Sequence, residues 1–135
     1  MKTKRKNDGA VLLIVIFAIA LLMMVTVGIL QMTTEELQLM QNQLYAVQAI
    51  ELAEAGLNDA FEQIRASSSW TTGFSGKSFT GYGTYTVTVT GTLPSRTITS
   101  TAATSQGYVA RIQAGVTVGT SAPYVIRIDS LRVNE

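Results

Sequence analysis

The chain reads as an α+β protein in which one long N-terminal helix, membrane-spanning in its first half, packs on a small antiparallel β-sheet. Three observations carry this. Residues Ala10 to Leu30 form an unbroken apolar run, AVLLIVIFAIALLMMVTVGIL, with nothing more polar than Thr26. No proline interrupts the stretch from Thr34 to Arg65, and its apolar residues recur at spacings of three and four. From Gly83 onward the period falls to two, with glycine and proline between the runs.

The first nine residues are a leader in character. Lys2, Lys4, Arg5 and Lys6 precede the apolar run and only Asp8 opposes them. A basic cluster ahead of a long apolar segment holds the amino terminus in the cytoplasm and sends the rest of the chain across. A secretory signal peptide has the same polarity, but its apolar core is shorter and ends in a small-x-small site, which Gln31 to Thr34 do not provide. A cut between Gly9 and Ala10 strips the charges and leaves the apolar helix as the new terminus; a far-side cut and an uncleaved anchor are the alternatives. Removal of residues 1–9 leaves six Lys/Arg against eight Asp/Glu, so the basic patch belongs to the leader.

Residues 10–30 as a helix span roughly 30 Å at about 1.5 Å per residue, the thickness of a bilayer hydrocarbon core. A helix that is apolar all round needs lipid or protein around its whole circumference. The remaining residues, at ordinary soluble-domain polarity, cannot wrap it, which leaves a bilayer or the core of an assembly.

Residues 31–66 continue as an amphipathic helix. Leu37, Met40, Leu44 and Val47 fall on one spacing, Ala53, Leu57, Ala60 and Ile64 on another, and Ala49 and Ile50 join them into a single expected stripe. Thr33 and Thr34 ahead of Glu35 and Glu36 either cap a new helix or sit inside a continuous one running from Ala10 to about Arg65. Glu51, Glu54, Asp59 and Glu62 lie largely off the stripe and read as a solvated face, with orientation of a neighbouring subunit the alternative for Glu54. Gly56 costs roughly 1 kcal/mol relative to alanine inside a helix, which points to close packing against the sheet or another helix, or to a kink point. The small residues Ala46, Ala49 and Ala53 also admit a close neighbour.

Ser67, Ser68 and Ser69 end the helix, and residues 67–82 read as a connecting loop punctuated by Gly73, Gly76 and Gly81. Trp70 is expected to cover the helix–sheet junction. Phe74, Phe79 and Tyr82 offer an aromatic surface, but Lys77 alone makes no basic groove beside it, so no nucleic-acid partner is expected. Residues 83–135 form the sheet. Tyr85, Val87 and Val89 alternate with threonines in a first strand. Arg96 to Thr101, with Ile98 its one strongly apolar residue, reads as a marginal or edge strand. Tyr108 to Val118 alternate in a long strand, and Tyr124, Ile126 and Ile128 begin a last one that runs to Val133. Short connections make these three firm strands and one doubtful one an antiparallel meander.

The composition narrows the chemistry. Cysteine and histidine are both absent, which excludes a disulfide framework, thiolate metal sites and the usual general base. A formal charge of +1 gives no strong pull toward nucleic acid. Asp129, the one acid between Glu62 and Glu135, is expected to pair with Arg111 or Arg127, or to sit in solvent. No catalytic residues, cofactor or metal are expected, and the chain reads as a structural protein and not an enzyme.

The leader KTKRKNDG before AVLLIVIFAIALLMMV resembles the type III signal of type IV pilins and pseudopilins. Asn42 to Ile64, with Ala53, Glu54, Ala55, Gly56 and Leu57 as an AEAGL signature, is similar to the opening of PilX-like minor pilins. The resemblance covers residues 2 to 66, about half the chain. It implies a pilin-like fold, cleavage after Gly9 by a prepilin peptidase, methylation of Ala10, and an inner-membrane protein with its C-terminal domain outside the cytoplasm. It further implies passage through an inner-membrane assembly platform into a surface filament with other pilins. One position departs from the family. Major pilins carry a glutamate at the fifth mature residue, and here that residue is Ile14. Without the acid, residence in lipid costs less and the charge pair that registers one subunit on the next is gone, which favours a low-copy tip or initiating position. The competing expectation is a permanently anchored extracytoplasmic binding module on a helical stalk.

Overall fold

A computed structural model describes residues 5–134. Lys2 and Lys4 of the leader, and Glu135, lie outside the described residues. One helix, α1 (Arg5–Ala66), is followed by five strands: β1 (Phe74–Phe79), β2 (Gly83–Thr90), β3 (Ser95–Thr104), β4 (Val109–Val118) and β5 (Ile126–Asn134). The chain divides into two units, the first ending at Gln41 and the second beginning at Asn42. The described residues of the first are helix alone; the second holds the rest of α1 and the whole sheet.

No break separates the apolar run from the helix beyond it. The hydroxyls of Thr33 and Thr34 donate back to the carbonyls of Ile29 and Leu30 at 2.9 and 2.8 Å, so they are satisfied inside a continuous helix and cap nothing. The helix ends where three serines begin, with the Ser67 N–H on the Gln63 carbonyl and the Trp70 N–H on that of Ser67.

The strands lie in sequence order, β1-β2-β3-β4-β5, each antiparallel to its neighbours. Their buried face meets α1 through Leu52, Ala53, Leu57, Ala60 and Ile64 on the helix and Tyr85, Val87, Ile98, Ala102, Ile112, Ala114, Val116 and Val118 on the sheet. The threonines of β2 face solvent, as their alternation with Tyr85, Val87 and Val89 requires.

Three expectations are corrected. Residues 67–82 are not all loop: Phe74–Phe79 form β1, an exposed edge strand paired with β2 through an irregular register between Phe74 and Lys77. A six-residue strand with a glycine at its centre and no buried alternation leaves no period-two trace. β3 is neither marginal nor an edge; it is ten residues long, central, and buries Arg96, Ile98, Ser100, Ala102 and Thr104 in strict alternation. Ser100 is small where Gly56 of the helix comes close above it, and Arg96, Ser100 and Thr104 do not register as an apolar face. Finally, α1 does not carry one stripe. Leu37, Met40, Leu44 and Val47 are all more than half exposed, whereas the buried set begins at Ala49. At about 100° per residue, Val47 and Ala53 lie roughly 120° apart around the helix, so the two sets occupy different faces.

Candidate functional site

The largest chemical feature is an apolar surface with nothing on it. From Val11 to Leu30 every large hydrophobic side chain of the membrane-like run is exposed, Ile14 at 66% and Met24 at 75% among them. This is the one helix among the described residues that is long and apolar enough to cross a membrane. Gly9 and Ala10, the expected cleavage pair, are exposed and helical, and a side chain at Gly9 would meet nothing within 4 Å. Thr26, the most polar residue of the run, donates its hydroxyl to the Leu22 carbonyl at 2.7 Å and so presents no unsatisfied group.

The AEAGL residues divide by face. Ala53 and Leu57 are buried in the chain's own core, Ala55 is half-buried, and Glu54 is exposed. Gly56 lies against the sheet so closely that a Cβ there would sit 2.5 Å from Ser100 Oγ and 2.7 Å from Tyr85 Cδ2. On the sheet side the contact is made by the small Ser100 and by the ring of Tyr85, and Ser100 Oγ is buried without a hydrogen-bond partner. Three of the five residues therefore hold the helix on its own sheet, and Glu54 alone points outward.

A polar cluster pins the same junction, although the sequence alone places its acid in solvent. Asp59 of α1 accepts from the Lys77 ammonium at 2.5 Å and from the Tyr85 hydroxyl. Lys77 also lies over the rings of Phe74 and Tyr85, 4.9 and 5.8 Å from their centroids. The hydrogen bonds from Lys77 and Tyr85 hold the Asp59 carboxyl below its ordinary range against the opposing effect of partial burial. Hydrogen bonding to Asp59 pushes Lys77 up, and burial, with the hydrogen bond to Asp59, does the same to Tyr85. Eighteen and twenty-six residues separate the partners along the chain. No local signal joins them, because the unanticipated strand β1 delivers Lys77.

Beyond the C-terminal end of α1, Arg96 is buried, its guanidinium donating to the Trp70 carbonyl at 2.8 Å while its Nε has no partner. Trp70 is half-buried against the core and stacks on Phe74 at 5.2 Å, covering the junction as expected. Asp129 pairs with Arg127 at 2.7 Å and accepts from Thr117, which together hold its carboxyl below the usual range, the Thr117 bond foremost.

Gln48, Glu51, Leu52 and Ala55 of α1 and Phe79 and Tyr82 of the β1–β2 hairpin line a half-open hollow of about 260 Å³. Phe79 and Tyr82 meet edge to face at 5.6 Å and are each nearly half exposed. Among the described residues no group of three acids, histidines or cysteines converges as a metal site would need. Comparison of the chain with protein-family models, with curated proteins and with solved structures gave no match in any of the three.

Proposed function

We propose that the chain is a structural minor pilin or pseudopilin: made as a prepilin, cut between Gly9 and Ala10, held in the inner membrane by residues 10–30, and drawn into a filament through its helix. The observation that carries this reading is the exposure of the apolar half of α1 in a chain whose second unit already has a closed core of its own. Such a surface demands an environment from outside the chain, and both lipid and a bundle of like helices satisfy it. Because lipid tails are as apolar as the side chains, exchanging one for the other is close to neutral in hydrophobic terms. Extraction then requires no large barrier from burial. The Gly9–Ala10 junction, the basic leader and the AEAGL signature support the same reading, and Ile14 in place of an acid lowers the cost of residence in lipid. The partners implied are a prepilin peptidase, an inner-membrane assembly platform and other pilins.

The test is the amino-terminal residue and intact mass of the protein recovered from membranes, with and without the host's prepilin peptidase. A peptidase-dependent start at Ala10, abolished when Gly9 is replaced by leucine, is the expected result. An intact leader in both samples overturns the proposal.

A second reading, a permanently anchored binding module, draws on the hollow beside Phe79 and Tyr82, whose two aromatic rings and the Glu51 carboxylate suit a cationic group. It keeps the leader on, so the same measurement separates the two.

A further inference from the structure

The junction of α1 with the β1–β2 hairpin repeats one arrangement of groups. In the first instance a carboxylate, Asp59, meets two rings, Phe74 and Tyr85, set edge to face with centroids 6.3 Å apart. An ammonium on a straight chain completes it: Lys77 lies 2.5 Å from the carboxylate and 4.9 and 5.8 Å from the ring centroids. Further back along α1 and further on along β1 the groups recur. Glu51 precedes Asp59 by about 12 Å of helix, and Phe79 and Tyr82 meet edge to face at 5.6 Å. Here they line the half-open hollow of about 260 Å³, with Gln48, Leu52 and Ala55 as the rest of its wall, and no base is among them.

We propose that this hollow takes the ammonium end of a lysine side chain from a different polypeptide. Ring faces and a carboxylate attract a cation together, and Lys77 is the chain's own instance of that combination on the same hairpin. The wall suits the rest of the side chain as well: its methylenes have Leu52 and Ala55 to lie against, and its ammonium has the Glu51 carboxylate and the Gln48 amide oxygen to donate to. A compact ammonium donates in several directions and so serves a carboxylate and ring faces at once, which a planar guanidinium stacked on one ring does not. The rings are held ready for it. The Tyr82 N–H donates to the Phe79 carbonyl at 3.0 Å and the Ser105 N–H to the Tyr82 carbonyl at 3.1 Å, so the turn that carries them is already ordered. No base of the chain competes, because α1 has no Lys or Arg between Lys6 and Arg65 and the one base of the hairpin, Lys77, is committed to Asp59. Nor does a second copy supply the occupant. Beyond the first nine residues Lys77 is the one lysine of the sequence, and Lys2, Lys4 and Lys6 sit in the leader, which the first reading removes and the second leaves in the cytoplasm.

This site rests on the hollow of the second reading and names its ligand, while standing apart from the fate of the leader. The probe is Nα-acetyl-lysine N-methylamide, titrated into the full-length protein in neutral maltoside micelles, which bring no cation of their own. Binding is followed through the NMR signal of the probe's ε-methylene, which ring currents move upfield. Saturable binding is expected, about ten-fold tighter than that of the norleucine counterpart, which keeps the carbon chain and lacks the ammonium. It is also expected to exceed that of the arginine counterpart. Glu51→Gln and Phe79→Ala, at exposed positions, each weaken it several-fold, whereas Glu62→Gln, an exposed acid of α1 outside the hollow, leaves it unchanged. No saturation, equal binding of the norleucine probe, equal or tighter binding of the arginine probe, or binding that survives both Glu51→Gln and Phe79→Ala overturns the proposal. The amino terminus of the same sample is read separately. A start at Ala10 with binding kept removes the permanent anchor and leaves the lysine site, and an intact leader without binding does the reverse.

Discussion

Gly56 shows how far local preference yields to packing. In a free helix, replacing it with alanine gains roughly 1 kcal/mol. Here the added methyl meets Ser100 Oγ and the ring of Tyr85, and Tyr85 is tied in place by Asp59. Overpacking of this kind costs about 1–3 kcal/mol, so Gly56→Ala is expected to lower stability by about 1 kcal/mol net, measured by urea unfolding. Adding Ser100→Ala, which removes one of the two obstacles and a buried hydroxyl without a partner, recovers part of the loss. The sequence alone pointed to a close neighbour at Gly56, the sheet or another helix; that the neighbours are Ser100 of β3 and Tyr85 of β2 needed the register of the sheet. Asp59 gives the pH prediction. Its carboxyl is depressed in the folded chain, so its contribution is present above the unfolded value of about 3.9 and fades as the pH falls through the lower folded value. Thermal stability is expected to decline below about pH 4, with a shallower decline in Asp59→Asn, read by circular dichroism.

At the level of elements, legibility followed apolar contrast. α1, β2 and β4 stand out because large apolar residues alternate with polar ones at the right period. β3 hides because its inward positions carry a single strongly apolar residue, Ile98, among the small Ser100, Ala102 and Thr104 and the charged Arg96. β1 hides because an edge strand buries almost nothing. The mistaken single stripe on α1 has a related cause: spacings of three and four recur on any face, and only the buried set tells which face meets the sheet. β5 divides its roles along one strand. Ile126 packs on the core, and Leu131 does not. Leu131→Ser is therefore expected to leave the urea midpoint of the domain almost unchanged, whereas Ile112→Ser beside it, fully buried, costs several times the typical surface change of about 0.5 kcal/mol.

For the molecule as a whole, the boundary at Asn42 separates a unit that needs an outside environment from one that does not. The second unit has its own helix–sheet core, the Asp59 cluster, and the Tyr108 hydroxyl donating to Asn42 at 2.6 Å with its ring 5.6 Å from that of Tyr45. Residues 42–135 alone are expected to be soluble without detergent and to unfold in one cooperative step, which sedimentation and calorimetry would check. The sheet order adds a consequence in time. Because every strand pairs with the one made just before it, each hairpin can close with chain already delivered and none waits for a distant partner. Mixed folds dominated by such neighbouring contacts are quick to form, so each new strand is exposed only briefly before the next one pairs with it. In that order the strands with an open edge are the outer two, β1 and β5.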